Sequence, residues 1–273
     1  MSKTVCTHHE NVKVKSRPPL QGGELRLAEE MVRSLARPEA VVERVVVGDK
    51  FLAVVAGSRV GLSSLLGARA DDEGLRQVHT AEGRTVAELA RNIMSCSAFC
   101  VSLGLAAVNA ANAPGPESAS AAPGGPADEL IVALGQNGKV GLVGEFPFVS
   151  SLRERVGEMH LFELRDVPGA VPPQAWDETL AGLDVLAVTG TALLTRRMAY
   201  FLSRARQATV LVLGPSTPLS NSLFEFGADY LCGSVVTDPE PVLDGIRAGL
   251  PFHQVKKNGG IRFTRWTRED LPG

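Results

Sequence analysis

Val140-Gly141-Leu142-Val143-Gly144-Glu145 opens a series of five short apolar runs that each stop at small, polar or acidic residues. The others are Leu161-Phe162 before Glu163, and Val185-Leu186-Ala187-Val188 before Thr189-Gly190-Thr191. Then come Val210-Leu211-Val212-Leu213 before Gly214-Pro215-Ser216-Thr217-Pro218, and Tyr230-Leu231-Cys232 before Gly233-Ser234. Continuous apolar runs of this length, separated by helix-length segments, read as strands of a parallel sheet covered on both faces. The fold class is therefore α/β, with a Rossmann-like sheet whose crossover helices fall at residues 147–159, 192–206, 219–227 and 239–248. Right-handed crossovers lead to an expected strand order of 3-2-1-4-5. Ligands of such sheets bind outside the carboxyl ends of the strands, where the order reverses. The residues that end the runs are thus candidates for lining one crevice.

Working outward, residues 129–252 hold this unit, and residues 113–128 separate it from the first half. The separator contains Pro114-Gly115-Pro116 and Pro123-Gly124-Gly125-Pro126, too little apolar surface to order itself. Residues 24–112 read as a small α+β unit. An apolar stripe over residues 24–37 is helical and ends at Pro38. Residues 41–47 and 51–56 form a hairpin around Gly48-Asp49-Lys50, continued through Gly57-Ser58-Arg59 into Val60-Gly61-Leu62. Thr85 followed by Glu88 opens a helix over residues 85–94 with capping-box spacing. Residues 102–111 form a second helix of small residues. Residues 1–23 read as a disordered lead. Residues 253–273 read as a solvated basic tail, because Lys256, Lys257, Arg262, Arg265 and Arg268 crowd beside Trp266.

The net charge of −2 gives no reason to expect nucleic acid or an anionic membrane as partner. No stretch approaches the roughly 20 apolar residues of a membrane-spanning helix. The start of the chain carries no apolar secretory core, and four cysteines do not make a disulfide framework, so a cytoplasmic location is expected. A small-molecule ligand is the expected partner, and a homo-oligomer stays open.

Glu163 is the sharpest single residue. It lies 19 residues after Gly144, near the spacing at which dinucleotide folds place an acid on ribose hydroxyls. The competing reading is a strand end in solvent. NAD is disfavoured, because a pyrophosphate would meet Phe146 and Pro147 where the fingerprint wants glycine. An adenosine ligand without pyrophosphate, such as S-adenosylmethionine, escapes that objection. The loops at Thr189-Gly190-Thr191 and Gly214-Pro215-Ser216-Thr217 offer hydroxyls and close backbone approach, the second expected across the order reversal from Gly144. Glu145 and Glu163, ending adjacent strands, form a candidate carboxylate pair for acid–base work. Asp238 joins them or caps the last helix. Asn109, an amide in an apolar helix, needs a partner in either the fold or a ligand. For metals, Cys96 and Cys100 share a helix face and Cys6-Thr7-His8-His9-Glu10 could scavenge an ion. No second cluster closes either shell, so a preformed protein metal site is not expected.

Five blocks carry a family resemblance. They are Leu103-Gly104-Leu105-Ala106-Ala107-Val108-Asn109-Ala110, Val143-Gly144-Glu145-Phe146-Pro147, Thr189-Gly190-Thr191-Ala192-Leu193, Gly214-Pro215-Ser216-Thr217-Pro218-Leu219 and Gly233-Ser234-Val235-Val236-Thr237-Asp238-Pro239. In this order, over roughly residues 24–250, the chain resembles the DUF364/DUF4213 proteins, a Rossmann-like family labelled for heavy-metal chelation. The resemblance implies an N-terminal domain similar to the capping domain of enolases and a site in the groove between the two domains. One block departs: Thr195-Arg196-Arg197 stands where the family usually has an Asn-Gly-Thr run.

The reading is a protein that binds an amino-acid- or nucleoside-sized metabolite, or a metal chelate of one, and is open to catalysis. Gly144, Thr189, Gly190, Thr191, Gly214, Pro215, Ser216 and Thr217 would cradle the ligand. Glu145, Glu163, Asn109 and Asp238 would supply polar contacts. The alternatives are an enzyme using an adenosine-type cofactor and a non-enzymatic scaffold or chaperone.

Overall fold

The computed structural model describes residues 18–115, 125–144, 146–165 and 167–270. Helix α1 (Gly22–Arg33) leads into an antiparallel meander of β1 (Arg44–Val47), β2 (Phe51–Ala56) and β3 (Arg59–Ser64). Residues along β2 alternate between two cores. Leu52, Val54 and Ala56 join one, and Ala53 and Val55 join another on the opposite face. After α2 (Asp72–His79), which the sequence did not disclose, comes α3 (Val86–Ala90). Its capping box forms as the spacing predicts: Thr85 N–H donates to Glu88 at 2.9 Å and Glu88 N–H donates to Thr85 Oγ1 at 3.2 Å. The chain continues as a 3-10 turn, Arg91–Met94, rather than as one helix.

Helix α4 (Ala98–Asn112) is buried on every side from Phe99 onward. A helix apolar all round belongs inside a core, and small residues let its neighbours come close. A Cβ on Gly104 would stand 2.1 Å from the Ile93 amide nitrogen, and one on Gly61 of β3 would stand 2.0 Å from the Ala106 carbonyl oxygen. Sheet and helix therefore meet backbone to backbone.

The second sheet follows α5 (Ala127–Gly135), which starts inside the stretch read as a separator; residues 116–124 of that stretch lie outside the described residues. Its strands are β4 (Lys139–Val143), β5 (Glu158–Phe162), β6 (Val185–Thr189), β7 (Thr209–Leu213), β8 (Tyr230–Val236) and β9 (Ile261–Trp266). The connecting helices are α6 (Val149–Arg153), α7 (Trp176–Ala181), α8 (Met198–Arg204), α9 (Asn221–Glu225), α10 (Pro239–Arg247) and α11 (Phe252–Lys257). Most are shorter than the spacing suggests, and α7 was not expected. Residues 1–17, most of the expected disordered lead, lie outside the described residues, while Gly22 and Gly23 already belong to α1.

Two expectations are corrected. The order is β5-β4-β6-β7-β8-β9, so the parallel strands run 2-1-3-4-5 instead of 3-2-1-4-5. The second strand lies at the sheet edge, and the reversal falls between β4 and β6. The basic tail is not solvated coil either. Residues 261–266 pair antiparallel with β8 as a sixth strand, burying Thr264 and Trp266 while Arg262 stays exposed. An edge strand tolerates such long cationic side chains, which also discourage pairing with other chains.

One continuous apolar cluster runs from α1, β2 and α4 to β6, β7 and β8. Glu24 of α1 is part of the join, accepting the Tyr200 N–H at 3.0 Å in the first turn of α8. Burial raises its pKa, against the opposing pull of the Tyr200 and Ala199 amides and Arg197. A raised carboxyl pKa in the folded state means stability that is full below the unfolded value and lost as pH rises through the folded one. Glu24→Gln keeps an acceptor without the buried charge. Urea unfolding should show its stability relative to wild type rising as pH climbs above the ordinary carboxylate range. Glu24→Ala should cost about 1 kcal/mol, the usual loss of a helix cap.

Candidate functional site

The reversal between β4 and β6 opens into a cavity of about 430 Å³ at the carboxyl ends of β4, β5 and β6. Its floor is apolar: Val143, Phe162, Trp176, Ala192 and Phe201. The aromatic part is rigid. Phe162 meets Trp176 edge-on at 5.9 Å, Trp176 lies 5.5 Å from Phe201, and the Trp176 indole N–H donates to the Val171 carbonyl at 2.8 Å. The polar rim is Gly144, Glu163, Arg165, Thr189, Thr191 and Thr195. The volume falls within the roughly 300–1,000 Å³ of small-molecule sites, which pair an apolar lining with few polar groups.

Each rim residue is held by local structure. Gly144 follows β4 with φ +93°, a conformation open to glycine, and a Cβ there would stand 3.0 Å from Thr189 Cγ2. Thr189 ends β6, and its Oγ1 lies 2.9 Å from Thr191 Oγ1 while accepting the Thr191 N–H at 3.3 Å. Glu163 has only 10% of its side chain exposed. Its Oε1 accepts the N–H groups of Leu164 at 2.8 Å and Arg165 at 3.2 Å, and its Oε2 accepts from the Arg165 guanidinium at 3.0 Å. Burial pushes this carboxyl up, but the Arg165 and Leu164 hydrogen bonds and the Arg165 charge together hold it below its ordinary value. It is therefore ionised at neutral pH and suited to accepting hydrogen bonds more than to taking up protons.

Leu66 reaches the cavity from the loop after β3. It is 50% exposed with φ +49°, an unusual conformation for a branched side chain, and Gly67 follows at φ +79°. Strained backbone of this kind clusters at functional sites.

The other sequence candidates lie elsewhere. Glu145 lies outside the described residues. Gly190 is buried against the neighbouring loop, where a Cβ would stand 2.6 Å from Thr217 Oγ1. Ser216 and Thr217 are buried, and the Ser216 hydroxyl accepts the Ser64 N–H at 2.9 Å. Asn109 donates to the Leu62 carbonyl at 2.7 Å. Both bonds satisfy the outer edge of β3, which lacks a strand partner. Gly214 (φ +112°) and the half-buried Pro215 turn the chain after β7, one strand beyond the reversal. Asp238 is exposed before α10, beside Gly260 at the β9 end of the sheet. The structure thus gathers Gly144, Glu163, Thr189 and Thr191, and it adds Leu66, Trp176 and Thr195.

Arg196 follows Thr195 at φ +58°. Its guanidinium turns away from the cavity to the carbonyls of Pro18 and Ser95. The left-handed region costs a non-glycine residue about 1 kcal/mol. Arg196→Ala keeps that strain and loses both bonds, whereas Arg196→Gly loses the bonds but relieves the strain. Thermal unfolding should place the alanine variant below the glycine variant by about that amount.

Among the described residues, no group of three or more His, Cys, Asp or Glu could hold a metal ion. Cys96 is exposed and Cys100 buried, with burial pushing the Cys100 thiol up, which disfavours the thiolate a soft metal needs. Cys6, His8 and His9 lie outside the described residues. A larger and more open furrow, about 850 Å³, lies between α1, α8 and α9 at the amino ends of β7 and β8. It is lined by mixed charges and sits at the wrong end of the strands for ligand binding in an open α/β sheet.

A family model described as "Putative heavy-metal chelation", DUF364, matches residues 127–265, and a second of the same description, DUF4213, matches residues 29–112. A solved DUF364 protein of unknown function from Desulfitobacterium hafniense is 24% identical with TM-score 0.76, over 90% of this chain and 98% of that one. Another from Pyrococcus horikoshii is 17% identical with TM-score 0.70, over 90% of this chain and 100% of the other. No curated protein matches the chain. At these identities the likeness concerns the fold. Among the described residues, no helix is long and apolar enough to cross a membrane.

Proposed function

The chain belongs to the DUF364 family, and we propose that it binds a small organic metabolite, of amino-acid or nucleoside size, in the cavity where its strand order reverses. The observation that carries this reading is the convergence of Gly144, Glu163, Thr189 and Thr191 over an apolar floor at the reversal itself. Leu66, from the loop after β3, lines the cavity together with the strand ends of the second sheet, which supports a site drawing on both sheets. Catalysis is not needed to explain the geometry, since Glu163 is already committed as an ionised acceptor. The family's chelation label fits this site in one form. One carboxylate and three hydroxyls on the described lining are too few donors for a soft metal, so an ion would enter as a complex whose other donors the metabolite supplies. A calorimetric titration with metabolite alone and with metabolite plus Zn²⁺ or Ni²⁺ tests this. Metal uptake should require the metabolite, and stoichiometric uptake without it would refute the chelate form.

A further inference from the structure

We infer that the ligand of this cavity is an unphosphorylated nucleoside-type molecule, whose ribose diol meets Glu163 and whose far end meets Thr189 and Thr191. The inference rests on the cavity reading above and concerns what the cavity selects.

Span argues first. Glu163 follows β5 and Thr189 ends β6, with β4 between them. Neighbouring strands lie about 4.8 Å apart, so the backbones that carry Glu163 and Thr189 stand about 10 Å from one another. A ribose joined to a base reaches across. Just past the intervening strand stands Gly144, where a Cβ would press on Thr189 Cγ2 at 3.0 Å, so a side chain there would disturb the threonine end of the site.

Hydrogen-bond capacity argues second. An ionised carboxylate offers about four lone-pair sites. Oε1 of Glu163 accepts two N–H groups and Oε2 accepts the Arg165 guanidinium. Oε2 retains room for one more donor, and a carboxylate takes a hydroxyl there while repelling an anion. At the other end, Thr189 and Thr191 share one hydrogen bond between their hydroxyls, so one hydroxyl proton stays available to a ligand acceptor such as a ring nitrogen. The apolar floor between them suits a flat base.

Charge argues third. Arg165 is the one cation on the described lining, and it is engaged by Glu163. The helix after β4, α6, spans only Val149–Arg153 and starts behind Pro147 and Phe148 without a side-chain cap. The successive Leu164 and Arg165 amides at the rim already donate to Glu163, and α6 is too short to serve as a phosphate-binding helix start.

The test is calorimetric titration of the full chain with adenosine, guanosine, cytidine and uridine, each also as its 2′-deoxy form and its 5′-monophosphate. At least one ribonucleoside should bind, with the matching deoxynucleoside and monophosphate each at least tenfold weaker. Glu163→Gln should erase the ribose preference, whereas Thr191→Val should weaken the same nucleoside and leave the ribose preference in place. Thr195→Trp, which fills the cavity, should remove all binding. A monophosphate or deoxynucleoside bound as tightly as the ribonucleoside, yet still lost in Thr195→Trp, would overturn the nucleoside assignment and leave the cavity standing. Nucleoside binding that survives Thr195→Trp would overturn the cavity reading itself. Failure of every ribonucleoside to bind at millimolar concentration would also overturn the assignment.

Discussion

Gly61→Val is expected to yield little or no native protein. The Cβ alone would stand 2.0 Å from the Ala106 carbonyl oxygen and 2.2 Å from the Ala110 amide nitrogen, both backbone atoms of α4. Neither can swing aside as a side chain could. Overpacking of ordinary core sites costs about 1–3 kcal/mol because side chains and backbone give way. Here β3 would have to lift from a helix buried on every side, so the cost should exceed about 3 kcal/mol, a large share of a domain's stability. Gly57→Ala is the control. Gly57 has φ +58° and open space around its Cβ position, so only backbone strain of about 1 kcal/mol is expected. Urea unfolding of the two variants reads the difference. A Gly61→Val protein as stable as Gly57→Ala would mean that β3 and α4 do not pack in this register.

Thr195→Trp should do the reverse, leaving the fold intact and abolishing ligand binding. Thr195 is half-buried on the cavity rim, and its side-chain bond is a long one, 3.3 Å to the Ala192 carbonyl. An indole at this position has the 430 Å³ cavity to occupy, so the added volume displaces ligand before it strains the core. Affinity should fall at least a hundredfold, with the melting temperature unchanged within a few degrees. A variant that melts normally and binds as wild type does would move the site elsewhere.

Much of the fold is legible in the chain because burial writes itself into composition. The five apolar runs, the hairpin glycines and the Thr85–Glu88 spacing each have one local physical reading, and each element forms. The strand order was legible too, in a signal easy to pass over. An internal second strand would be apolar throughout, yet β5 reads Glu158-Met159-His160 before Leu161-Phe162, a polar amino-terminal half that an edge strand tolerates. The cationic residues of β9 hid a strand for the opposite reason: their charge reads as solvation, while Thr264 and Trp266 between them carry the burial. Helix α7 was hidden by Pro172-Pro173, which reads as a loop but serves as the entry to a helical turn.

The candidate site was half legible. Gly144, Glu163, Thr189 and Thr191 could be named because topology sends strand ends to one edge. Ser216 and Asn109 carry the same kind of polar side chain, but whether it faces a ligand or the open edge of β3 depends on how two distant segments dock. Leu66 left no signal, since nothing in a leucine announces φ +49°.

The decisive measurement is native mass spectrometry of wild-type and Thr195→Trp protein, each incubated with the same mixture of nucleosides, amino acids and divalent metal salts. A small organic adduct on the wild type and none on the variant is the expected result. The same adducts on both proteins, or a stoichiometric metal ion with no organic component, would contradict a metabolite site at the strand-order reversal.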